Sequence, residues 1–141
     1  LDLLPAGVPS PDGAPGEEHR AARLLEGLAM DARTIVVDAG RVRRAGGAAS
    51  VFVREATSSL LVTRGCYVAL RHGVRAPHRP SGVVLVVEAG RALDVEDVEN
   101  VIGAPVVARV AWEPAVARAV DAGLLATRLP RRLERSVRAA A

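Results

Sequence analysis

Five short apolar runs, Leu1–Leu4, Thr34–Val37, Leu60–Thr63, Val83–Val87 and Val106–Val110, constrain the fold of this chain more than any other feature of its sequence. Each run is continuous rather than alternating. Alternation marks a strand with one wet face, whereas an unbroken run of Val, Leu and Ile marks a strand covered on both faces, as in a parallel sheet. The segments between the runs carry helical spacing instead. Glu17–Met30 sets Ala21, Leu24, Leu25 and Leu28 on one face, and Asp94–Ile102 does the same with Val95, Val98, Val101 and Ile102. The expectation is a single α/β domain over 1–141, a three-layer sandwich with a mostly parallel sheet of about five strands.

Local chemistry fixes several boundaries. Asp94 can cap the first turn of its helix, with Asp97 three positions on as a capping-box partner, and Gly103 suits the left-handed position after the last turn. Glu113 and Pro114 open the next helix, which closes at Gly123. Ala48–Ala56 also reads as a helix. Val8–Gly16 and the basic stretch from Gly40 read as loops, as does the segment holding His72 and His78.

Composition removes whole classes of chemistry. All nineteen basic residues are arginine, so a phosphate loop with its lysine, a Schiff-base amine and a phosphoacceptor receiver site cannot be complete within this chain. The single cysteine, Cys66, excludes an internal disulfide and a cysteine-cluster zinc site, and reads as a buried thiol. His19, His72 and His78 lack metal-ligand spacing. One Phe, one Trp and one Tyr are too few for stacking along nucleic-acid bases. With no 18-residue apolar run and no signal peptide the chain reads as cytoplasmic, and its start at Leu1 without Met leads us to expect a preceding segment.

The stretch TIVVDAG, Thr34–Gly40, runs an apolar segment into an aspartate. At the carboxyl end of a buried strand Asp38 could serve a metal or a phosphate; it could equally accept hydrogen bonds from the loop that follows, or pair with Arg41 or Arg43. Sequence chemistry leaves both readings open.

GVVLVVEAG followed by LDVEDVENVIGAPVVARVAWEPAVARAVDAGLLATRLP resembles the C-terminal half of MinD/ParA-type P-loop ATPases, and actinobacterial CpaE-like pilus-assembly ATPases in particular. The likeness rests on Gly103–Val106, Ala111–Pro114 and Ala119–Gly123, in that order and spacing, and covers about Thr34 to Arg132. LLPAG, Leu3–Gly7, resembles the strand before the Walker B strand, which makes TIVVDAG the Walker B element. The resemblance implies a P-loop-NTPase-like fold and an ATP and Mg²⁺ site in an intact parent. Asp38 would act on the metal through water, Glu88 would lie near the base where many relatives have Asn, and Trp112, Glu113 and Pro114 would line the adenine side. It also implies a homodimer that positions or assembles a pilus, secretion, septum or partition machine. The phosphate loop has no counterpart in this sequence, so no ATP hydrolysis and no cofactor are expected of the chain alone.

Two other functions stay open. One is a non-catalytic ATPase-like scaffold acting through protein contacts, suggested by the missing lysine and by Glu88. The other uses the basic helix within 124–141, where Leu129, Leu133 and Val137 recur among Arg128, Arg131, Arg132, Arg135 and Arg138, to touch DNA weakly or an anionic membrane peripherally.

Overall fold

A computed structural model describes residues 4–5, 15–42, 45–124, 127 and 130–138, without the side chains of Arg132 and Val137. The chain divides into two compact units, Leu1–Ala56 and Thr57–Ala141.

In the first unit α1 (Glu17–Ala29) packs against α2 (Ala48–Glu55), the two helices expected there. A carboxylate and a hydroxyl tie the turn between them: Glu18 Oε1 accepts from the Gly47 N–H at 2.8 Å, and Ser50 Oγ donates to the Ala45 carbonyl at 2.6 Å. Ala21, Ser50 and Val51 are its buried residues among those described.

Thr34–Val37 departs from expectation, because it forms no strand and its apolar side chains face water, Ile35 at 42%, Val36 at 89% and Val37 at 43% exposed. The cause is a missing neighbour. A run of β-branched residues becomes a buried strand only if another strand takes its N–H and C=O groups, and none of the described strands pairs with this segment. Of the expected first strand, Leu1–Leu3 lie outside the described residues, and Leu4 is 68% exposed and outside any strand.

The second unit holds the sheet. β1 (Leu60–Arg64), β2 (Gly82–Val87) and β3 (Val106–Ala111) are three of the five expected strands, all parallel, in the spatial order β1-β2-β3. Two parallel neighbours cannot be joined by a hairpin, so each step needs a crossover. α4 (Val95–Ile102) was legible as the second crossover. The first, α3 (Tyr67–Val74), falls where the sequence reads as loop, and it places His72 in a helix. Both crossovers step the same way across the sheet, which for right-handed connections puts both helices on one face. Accordingly, α3 touches β1 and α4, and α4 touches β3.

That face carries the core: Leu70, Val83, Leu85, Val98 and Ala104, with Val87, Leu93, Val95, Ile102 and Val106 packed around it. Gly73, inside α3, allows the close approach. A β-carbon there would lie 2.7 Å from Ile102 Cδ1 and 3.1 Å from Leu61 Cδ2.

The ends of α4 are as expected. Asp94 accepts from the Asp97 N–H and Asp97 returns the bond to Asp94, while Gly103 takes φ 74° after the last turn. Arg79 donates to the Gly103 carbonyl, setting a cation at the negative end of the helix. Glu99 Oε1, from α4, accepts from the Val106 N–H at 2.7 Å, securing the start of β3. α5 (Pro114–Asp121) follows β3, and α6 (Arg131–Arg138), within the expected basic C-terminal helix, packs against β3. The described residues thus form an α/β fold with six helices and an open parallel sheet of three strands. None of those helices is long and apolar enough to cross a membrane.

Candidate functional site

The carboxyl ends of three parallel strands meet at one edge, where α/β folds expose the loops that carry sites. Arg64 is the last residue of β1, and Glu88 and Trp112 are the first residues after β2 and β3. Side chains alternate along each strand, and paired residues of parallel strands share a face. Arg64 pairs in register with Val86, and Val87 with Ala111. Arg64, Glu88 and Trp112 therefore project on the face away from α3 and α4.

Arg64 bridges the other two. Its guanidinium pairs with Glu88 Oε1, and its Cζ lies 4.5 Å from the centroid of the Trp112 ring. Arg91, just after the turn at Gly90, pairs with Glu88 Oε2. The Glu88 side chain is 12% exposed, against 44% for Arg64 and 46% for Arg91. The inner carboxylate thus carries two outer guanidiniums. Removing both would strand a largely desolvated charge, which is why such a pair is costly to break even where its net contribution is small. The cation over the ring contributes about 0.5–1 kcal/mol at a site this open. Trp112 is tied by its own backbone, its N–H donating to the Val87 carbonyl at 2.7 Å.

Glu88 and Trp112, two of the expected site residues, are brought together through Arg64. Glu113 and Pro114 follow directly as the N-cap and first residue of α5, and the Glu113 side chain makes no capping hydrogen bond to that helix. Asp38 belongs to the first unit. It is exposed, and its Oδ1 accepts from the Gly40 N–H at 2.9 Å, the local turn that was one of its two sequence readings. It does not close a strand, because Thr34–Val37 forms none. The residues present do not assemble a magnesium site: among those described no group of three His, Cys, Asp or Glu side chains is placed to hold a metal, and the Asp38 carboxylate is turned onto its own loop.

The first unit also holds Asp31, whose carboxyl is kept below the usual range by side-chain hydrogen bonds from Arg33 and then by the Arg33 backbone N–H. That pairing is a surface turn. On α6, Arg131, Arg135 and Arg138 are exposed, and Arg138 pairs with Glu134 at 2.9 Å. Arg128 lies outside the described residues.

Sequence reasoning missed Arg64 and Arg91. Arg64 closes an apolar run, so its place at a strand's carboxyl end was readable. Arg91 is the one arginine among the five acidic residues of Glu88–Glu99, and nothing in its local pattern marks it as a site residue.

Comparison with protein-family models, curated proteins and solved structures gave no match to this chain.

Proposed function

We propose that the chain is the C-terminal part of a MinD/ParA/CpaE-like nucleotide-switch ATPase, to which it contributes the base side of a nucleotide site. The observation that supports this reading is the convergence at the carboxyl edge of Glu88, Trp112, Glu113 and Pro114, the positions the resemblance assigns to the adenine side. Phosphoryl transfer is catalysed by positioning and charge neutralisation, through backbone amides, a lysine and Mg²⁺. In this reading a segment outside these 141 residues supplies the loop and its lysine. The intact protein dimerises around ATP in the cytoplasm, peripheral to the membrane, and positions a pilus, secretion or division machine.

A second reading draws on a separate observation. Glu88 is already engaged by two arginines, and the Trp112 ring already carries Arg64, so a base must displace a guanidinium to stack there. A non-catalytic scaffold with the same fold would leave those contacts in place. The two are separated by the product of the whole gene. In calorimetry with ATP and Mg²⁺ the first reading expects binding by that product and no phosphate release by the 141-residue chain. No ATP binding by a whole product that carries a lysine-bearing phosphate loop would sink it in favour of the scaffold.

A further inference from the structure

Arg64 comes from β1 and Arg91 from the turn after β2, yet both end on the two oxygens of one carboxylate. One carboxylate gathers two guanidiniums, so these three side chains together carry one positive charge in excess. The acceptor lies inside and the donors outside, since Glu88 is 12% exposed and the arginines are 44% and 46% exposed. Each guanidinium has five N–H donors in a fixed fork, and one carboxylate cannot occupy both sets. An oxyanion arriving from solvent meets the two forks before it meets Glu88. The charges then alternate around a ring of carboxylate, guanidinium, oxyanion and guanidinium, each ion beside two of opposite sign. Planar forks of this kind match the oxygens of phosphate better than a lysine does.

We propose that Arg64 and Arg91 together bind a phosphate group, with Glu88 as the positioning residue that sets the spacing of the two guanidiniums. This goes beyond the nucleotide reading, because it gives this lysine-free chain phosphate contacts of its own; only the identity of the rest of the ligand as a nucleoside rests on that reading.

The test uses the whole chain, inorganic phosphate, adenosine and AMP at constant ionic strength. The emission of the single tryptophan, Trp112, is the signal, because Arg64 stacks on it. Phosphate and AMP are expected to give a saturable change that an equal ionic strength of chloride does not, and Arg91→Gln is expected to weaken both at least tenfold with unchanged circular dichroism. Glu88→Gln separates a built site from a positive patch. A patch that has lost a carboxylate binds phosphate more tightly, whereas a site that has lost its spacer binds it several-fold more weakly, and Arg91→Gln restoring nothing in that background supports the shared role. Equal affinity in wild type and Arg91→Gln, tighter binding by Glu88→Gln, or a response to chloride as large as that to phosphate each overturns the proposal. Adenosine acting as strongly as AMP overturns it too, and favours the base-side reading. Arg91-dependent phosphate binding beside a whole gene product that ignores ATP leaves this site standing and removes the nucleotide reading instead.

Discussion

Val98 and Val36 are the same side chain in opposite surroundings. Val98 is 0% exposed between α4 and the sheet, and Val36 is 89% exposed on an unpaired segment. Truncating Val98 to Ala removes two methyl groups at ~0.8 kcal/mol each and leaves a cavity that a close-packed core fills only in part. Val98→Ala is expected to cost about 2 kcal/mol, and Val36→Ala to stay within about 0.5 kcal/mol. Urea unfolding followed by Trp112 emission reads the first directly, since Val98 and Trp112 belong to the same unit. A Val98→Ala midpoint equal to that of wild type would mean that α4 does not pack on the sheet as described. Both residues are valine, so their type alone did not separate them. What separated them was periodicity in one case and a missing partner strand in the other, and only the first is written in the local sequence.

At the scale of elements, the parts with their own end chemistry were legible. α4 is the clearest, because Asp94, Asp97 and Gly103 announce both of its ends. Replacing Asp94 by Ala removes the acceptor for the Asp97 N–H and is expected to lower stability by about 1 kcal/mol, while Asp94→Asn, which keeps an acceptor, costs less. Urea midpoints of the two variants decide this, and equal losses would show the box to be unimportant. α3 was illegible for the opposite reason. Gly73 and His72 weaken its helical pattern, yet Gly73 is required where Ile102 and Leu61 close in, so tertiary packing chose the residue against local propensity. The parallel pairing of β1 with β2 could have supplied it, because that pairing demands a crossover. Thr34–Val37 is the converse error, a strand-like run with no partner strand. An exposed, unpaired backbone is cut early. Limited trypsin digestion is expected to cleave at Arg33 and Arg41 before Arg64 and Arg109, whose backbones lie in β1 and β3. First cuts inside β1 or β3 would contradict the assignment.

At the scale of the molecule, a three-stranded sheet with helices α3 and α4 on one face leaves apolar surface on the other. Leu60 is 55% exposed, Val62 66% and Val107 49%, and all three belong to strands whose runs read as covered on both faces. Leu60 and Val107 converge on Gly82, where a β-carbon would lie 3.2 Å from Leu60 Cδ2 and 2.9 Å from Val107 Cγ1. The expectation of a sandwich was drawn from these continuous runs, and their wet residues are where the observed sheet stops short of it. Scattered single apolar side chains are ordinary on a protein surface; three neighbours on one sheet face make a patch. Such a patch binds the dye ANS without any loss of native structure. The folded chain is therefore expected to enhance ANS emission, and Val62→Glu combined with Val107→Glu to remove most of that enhancement. Because both side chains are half exposed or more, the double variant should unfold within about 1 kcal/mol of wild type, the span of strand propensity at such positions. Urea unfolding and circular dichroism on the same samples keep the two effects apart. Undiminished ANS emission from a variant that folds normally would place the exposed apolar surface elsewhere, whereas a large loss of stability would mean that Val62 and Val107 are packed.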